Sequence, residues 1–205
     1  MAHSTASGRY HRDPRATVSV FSIAERIAGC LDEDHLDYAI GGALALSVWA
    51  LPRDTSDVDL SIFARSDELA RVFDALERAG VMIDRSDATK AQARIRMFTC
   101  RAGKTLVDVF IGEHPHFAEM HRNRQQVKSP TSDLMLWFIS ADDLCVTKLM
   151  FGRAKDVPDL EHLFARKPSP NVDYIRSWLT KILPAGDRRL ALLDDLERRF
   201  LATDD

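Results

Sequence analysis

Apolar side chains recur at Val20, Ile23, Ala24, Ile27 and Leu31 within 17–35, the three-and-four spacing of an amphipathic helix. Tyr38 to Ile40 is a short apolar run that ends at Gly41 and Gly42. The Ala- and Leu-rich stretch Ala43 to Ala50 then favours helix until Pro52 stops it. Over 57–62 the period falls to two: Val58, Leu60 and Ile62 alternate with Asp57, Asp59 and Ser61, as in a half-buried strand. Ser66 predicts the cap of a helix running to about Ala79, with Leu69, Val72, Phe73 and Leu76 as its stripe and Gly80 past its end. Val81–Ile83, Arg94–Cys100 and Thr105–Ile111 read as three further strands, the last two joined through Ala102 and Gly103 as a hairpin. From Ser140 onward the pattern is helical, with Ser140, Pro158, Pro170 and Ala185-Gly186 punctuating about four short helices.

This order of elements predicts an α/β (α+β) fold: a mixed sheet with helices on one side and few long parallel crossovers. A polar tail over 1–16, a core over 17–140 and a C-terminal helical region over 141–205 are expected. The tail, with Arg9, Arg12 and Arg15 and no apolar stretch, reads as mobile and not as a secretory signal. At 205 residues the chain can bury a sizeable core. A formal net charge of −3 means that nothing global forces binding to nucleic acid or an anionic membrane, so any basic site must be local. Cys30, Cys100 and Cys145 are odd in number and far apart, which argues against a disulfide framework or thiolate zinc site and for a reducing cytoplasm. No stretch approaches the roughly 18 apolar residues of a membrane span.

Chemistry concentrates in three acids. Asp57 and Asp59 sit two apart on one strand, so both project from the face opposite Val58 and Leu60. Two carboxylates that close repel each other unless a proton or cation intervenes. Oxygen ligands without His or Cys suit Mg²⁺. Asp108 lies in the middle of the apolar run Thr-Leu-Val-Asp-Val-Phe-Ile, a costly place for an ionised group without a partner. If its strand neighbours that of Asp57 and Asp59, the three can seat two Mg²⁺ for in-line phosphoryl transfer. Gly41 and Gly42 follow a strand and open a helix, where backbone N–H groups can receive a phosphate. The alternatives are a solvent-facing strand edge and a simple tight turn.

The run Gly41-Gly42-(14 residues)-Asp57-Val58-Asp59, within Ala-Ile-Gly-Gly-Ala-Leu-Ala-Leu and Pro-Arg-Asp-Thr-Ser-Asp-Val-Asp-Leu, resembles the nucleotidyltransferase superfamily and its minimal members, nearest to AbiEii-type toxins. The likeness spans about 25–160. It implies a nucleotidyltransferase fold in which Gly41 and Gly42 bind the NTP triphosphate, Asp57 and Asp59 bind Mg²⁺, and Asp108 is a metal ligand or the base that activates the acceptor. Lys148, on the stripe of Ala141 and Leu144, either snorkels or meets an anion. The segment Thr-Lys-Leu-Met-Phe-Gly-Arg-Ala-Lys-Asp-Val-Pro-Asp-Leu is similar to a toxin-type motif, which implies that Lys148 holds the triphosphate and Asp156 orients it or the acceptor. Asp156 equally suits a helix cap before Pro158.

Arg53 either neutralises phosphate charge or pairs with Asp54. Residues 85–104 carry six basic side chains against Asp87, with Arg94 and Arg96 on one strand face. Arg122, Arg124 and Lys128 follow. This surface either grips RNA or is merely solvated. His114-x-His116 lacks a third ligand at useful spacing for a transition metal. The expected activity is transfer of NMP from an NTP to an acceptor hydroxyl. The resemblance favours RNA, such as a tRNA 3′ end, as acceptor, which makes the chain a toxin with an antitoxin partner. The alternatives are an aminoglycoside or lincosamide nucleotidyltransferase, and a non-catalytic nucleotide- or partner-binding member.

Overall fold

The computed structural model describes residues 19–201, so the tail expected over 1–16 lies outside the described residues. Six strands, β1 (Tyr38–Ile40), β2 (Asp57–Ile62), β3 (Met97–Ala102), β4 (Thr105–Phe110), β5 (Gln125–Lys128) and β6 (Met135–Phe138), form one sheet in the order β3-β4-β2-β1-β6-β5. β2 runs parallel to β4 and β1 parallel to β6; the remaining pairs are antiparallel. The sheet is therefore mixed, as the element order predicts, and the β3–β4 hairpin closes at Ala102 and Thr105.

Helices α1 (Val20–Glu33), α2 (Gly42–Trp49) and α3 (Leu69–Arg78) follow the expected spacing. α4 (Arg85–Ile95) and α5 (Pro115–Asn123) precede four C-terminal helices, α6 (Ala141–Phe151), α7 (Asp156–Ala165), α8 (Val172–Ile182) and α9 (Arg188–Phe200). One apolar cluster runs from Ile23 on α1 to Leu196 on α9. On one face of the sheet Phe73 of α3 meets Phe98 of β3 edge-on, with ring centres 5.5 Å apart. On the other, Phe151 of α6 meets Phe110 of β4 at 6.2 Å. Helices thus stand over both faces, not one, because the C-terminal helices return across the side left open by α1 and α3.

Three local expectations are corrected. Residues 81–83 make only a single bridge, Met82 to Arg101, and not a strand. The strand expected from Arg94 begins at Met97: Asp84 caps α4 by accepting from Asp87 N at 3.0 Å, and Arg96 ends that helix in the left-handed region at φ 58. Arg94 and Arg96 therefore do not share a strand face. Ser66 opens a 3-10 turn, Ser66–Glu68, ahead of α3 without capping it; its hydroxyl donates to Glu113 at 2.6 Å.

Candidate active site

Strand alternation sends Asp57, Asp59 and Ser61 to one face, and the parallel register with β4 fixes what lies beside them. Asp57 pairs with Leu106, Asp59 with Asp108 and Ser61 with Phe110. β3 adds Arg101 beside Leu106 and Thr99 beside Asp108. The three acids therefore converge on one face, as expected if the two strands are neighbours.

Cations lie nearby but do not touch them. Among the described residues none of the three forms an ion pair, although Ser56 Oγ donates to Asp57 at 2.8 Å and Thr99 Oγ1 to Asp108 at 2.6 Å. Asp59 receives no side-chain hydrogen bond among the described residues. Its burial, then the charge of Asp108, push its carboxyl above the usual carboxylate range; Asp57 adds to this, while Arg153 and Lys148 pull the other way. A carboxylate so placed is stabilised by a cation delivered from outside.

Among the described residues no three His, Cys, Asp or Glu close into a metal cage. An open row of carboxylates fits Mg²⁺, which takes one or two of them and fills its shell with water and phosphate. Asp57, Asp59 and Asp108 are the residues that would hold it.

The diglycine meets Asp59 directly. Gly41 N donates to the Asp59 carbonyl at 2.9 Å and is the N-cap of α2, with no side chain over the helix end. Gly42 has φ +56, and a Cβ there would stand 1.8 Å from Asp59 Oδ2. Only glycine lets the helix start lie against the carboxylate. The open amides of α2 thus face the acids.

Lys148 is buried and lines the same cavity, but its Nζ donates to Asp159 at 2.6 Å and lies 3.8 Å from Asp156. Arg53 forks onto Asp159 through Nε at 3.0 Å and Nη2 at 3.2 Å. Asp159, not Asp54, is its partner; only the Asp54 carbonyl is near, at 3.4 Å. Arg153 grips Asp156 through its backbone N, Nε and Nη2. Burial opposes charge on Asp156, but these bonds outweigh it and hold its carboxyl below the usual range. Asp156 is the first residue of α7, and Lys155 occupies the cap position, so Asp156 binds back to Arg153 and is not the N-cap. Gly41, Gly42, Asp59, Lys148 and Arg153 line the cavity, whereas Arg53, Asp57, Asp108 and Asp156 are not among its lining residues.

Asp159 and Arg153 pair with Arg53, Lys148 and Asp156, and the sequence motif assigns neither a role. Arg-x-Lys-Asp-x-x-Asp contains both, but ion pairs across 106 residues, as between Arg53 and Asp159, leave no periodic signal. The basic stretch is mostly neutralised. Arg85 pairs with Asp74 and Glu77, Lys90 with Asp87, Arg96 with Glu113, Arg122 with Glu119, Arg124 with Asp37 and Lys128 with Asp133. Arg94, Arg101 and Lys104 have no ion-pair partner among the described residues.

A family described as nucleotidyltransferase of unknown function (DUF6036) matches residues 18–173, more than half of the chain. The chain belongs to this family. Among curated proteins, none matches it. The solution structure of antibiotic-resistance factor ANT(2'')-Ia is 16% identical, over 88% of this chain and 92% of that one, at a TM-score of 0.47. A crystal structure of ANT(2'')-Ia in complex with adenylyl-2''-tobramycin gives 18%, 88%, 98% and 0.46 in the same order. An antigenic nucleotidyltransferase-like protein from Paracoccidioides brasiliensis gives 16%, 87%, 87% and 0.45. Likenesses at this level carry nothing about substrate. Among the described residues no helix is long and apolar enough to cross a membrane.

Proposed function

We propose that this nucleotidyltransferase moves NMP from an Mg²⁺-bound NTP to a hydroxyl of an RNA acceptor, such as a tRNA 3′ end. The observation that carries the reaction is the register of Asp59 against Asp108, with Gly42 pressed on Asp59. The open amides of Gly42 and its successors receive triphosphate oxygens, and Arg153, at the cavity wall, supplies positive charge beside them. Lys148 reaches the same cavity while tied to Asp159. Mg²⁺, which Asp57, Asp59 and Asp108 would hold, would supply charge neutralisation at the phosphates. Asp108 takes the acceptor proton, the new O–P bond forms at the α-phosphorus, and the bond to the β-phosphate breaks to release pyrophosphate.

Support for RNA comes from Arg101, exposed on edge strand β3 in the same row as Asp57 and Leu106, with Lys104 in the adjoining hairpin. Phosphate contacts suit such side chains, whereas a polycationic aminoglycoside would be repelled by them. The AbiEii-type likeness of the motif points the same way and brings with it the toxin role and an antitoxin partner. The test is incubation with each labelled NTP and Mg²⁺ in the presence of tRNA or aminoglycosides. Label on tRNA, lost in Asp57→Asn, is expected. Label on the antibiotic alone would replace RNA by a small acceptor, and undiminished transfer by Asp57→Asn would remove the metal assignment. Growth arrest on expression of the wild type but not of Asp57→Asn is the expected sign of a toxin.

A further inference from the structure

One row crosses the sheet at the level of Asp59. Thr99 on β3 stands opposite Asp108 on β4, Asp108 stands beside Asp59, and the amide of Gly41 donates to the Asp59 carbonyl at 2.9 Å. From the sheet edge inward, the row is a hydroxyl, two carboxylates and the start of α2. At about 4.8 Å per strand, Thr99 and Asp59 are roughly 9.6 Å apart, Cα to Cα. β3 is the last strand at its end of the sheet, and Thr99 is exposed.

Thr99 Oγ1 donates to Asp108 Oδ1 at 2.6 Å. A general base must lie within about 2.6–3.2 Å of the hydroxyl it deprotonates, and this pair already does. The bond does not serve to offset burial, because Thr99 is open to water and Asp108 is partly so. A second hydroxyl, Ser56 Oγ, donates to Asp57 Oδ1 at 2.8 Å. Asp57, however, pairs with Leu106 and lies off the row that leads to Gly41. Position separates the two hydroxyls further. A triphosphate on the open end of α2 has its leaving group on the Gly42 side of Asp59, so in-line attack on the α-phosphorus comes from the side of Asp108 and Thr99. Arg101, two residues along the same face of β3, is exposed and can offset the charge of a phosphodiester formed there.

We infer that Thr99 is itself an acceptor: with NTP bound and no other hydroxyl in place, the chain nucleotidylates its own Thr99. Asp108 takes the Oγ1 proton and Oγ1 bonds to the α-phosphorus. The bond from that phosphorus to the bridging oxygen of the β-phosphate breaks, and pyrophosphate leaves with the electron pair. The product is a threonyl phosphodiester of NMP. It stands where an outside acceptor must meet Asp108, so the modified chain is closed to further transfer. This inference rests on the nucleotidyltransferase reading above and adds a substrate to it.

The test is incubation of the full chain with Mg²⁺ and each NTP labelled at the α-phosphate, alone and with tRNA or an aminoglycoside, followed by intact mass and peptide mapping. Without an added acceptor, one NMP per chain, mapped to Thr99, is expected. The labelled fraction should grow at a rate independent of protein concentration, and an Asp57→Asn chain mixed with the wild type should stay unlabelled, since the row acts within one molecule. Thr99→Ser keeps a hydroxyl and retains the label; Thr99→Val loses it. The wild-type map decides the matter alone if a variant fails to fold. Label confined to Ser56 or another residue, or a labelled Asp57→Asn chain, overturns the inference and leaves the reaction standing. So does labelled tRNA or aminoglycoside beside a chain that is never labelled. No transfer to the chain, to tRNA or to the aminoglycoside overturns the reaction and the inference together.

Discussion

Two clusters of charge flank the cavity, and they are built on opposite plans. Along α6, α7 and the loop before β2, Arg53, Asp159, Lys148, Asp156 and Arg153 alternate in sign, so that each anion lies between two cations. On the sheet, Asp57, Asp59 and Asp108 stand together with the same sign and no ion pair among the described residues. The alternating chain is complete in itself, which is how buried charge is tolerated. The row of acids is incomplete: its carboxylates are set by strand register, and their repulsion falls only when a cation arrives. One cluster holds α6 and α7 to the loop before β2; the other is ready for a ligand.

Substitutions that act on one cluster and spare the other sharpen this contrast. The largest effect is expected from Asp57→Asn: transfer falls below detection while circular dichroism and melting temperature stay near those of the wild type. Loss of the fold would show that the acids are structural after all. Next comes Asp159→Ala, which takes from Arg53 its carboxylate partner and leaves buried Lys148 only Asp156, at 3.8 Å; denaturant melts should show a loss of about 3–5 kcal/mol. A change within experimental error would mean that the alternating chain contributes nothing to the fold.

Gly42→Ala is expected to cost about 1–2 kcal/mol for the left-handed backbone alone. It also displaces the Asp59 carboxylate, so transfer should drop more than stability does; full activity would contradict the close approach.

The smallest effect concerns pH. The Asp59 carboxyl is pushed up in the folded chain, so its ionisation opposes folding once the pH rises through the folded value, and the opposition is absent below the unfolded value near about 3.9. In EDTA, Asp59→Asn should melt slightly higher than the wild type at pH 7.5, with the gap closing toward pH 4. A variant less stable at pH 7.5 would refute the electrostatic picture of the row.

Much of this was legible from local pattern. The alternation around Asp57, the apolar run around Asp108 and the spacing of α1 and α3 each reflect one buried face, and a single buried face is what periodicity reports. α4 escaped because it buries only Ala88 and Gln92 and so has almost no stripe; the cap at Asp84 was the signal on offer. α5 announced itself only through Pro115 in its first turn after His114. β6, four residues beside a polar loop, buries Leu136 and Phe138 as the partner of β1, a relation no local window contains. At the site, the acids and glycines could be found because strand and helix geometry fixes where they point. Asp159 and Arg153 owe their places to tertiary packing, and their residue types are common on surfaces.

The side-by-side course of β2 and β4 makes the site a matter of parity. Inserting one residue into β4 ahead of Asp108 would carry that carboxylate through the sheet to the face where Phe73 packs, while Asp57 and Asp59 stayed behind. An insertion of two would keep it on the right face but slide it by about 6.5 Å, out of step with Asp59. Length variation in this part of the chain is therefore free in the β3–β4 hairpin tip and forbidden within the strand itself.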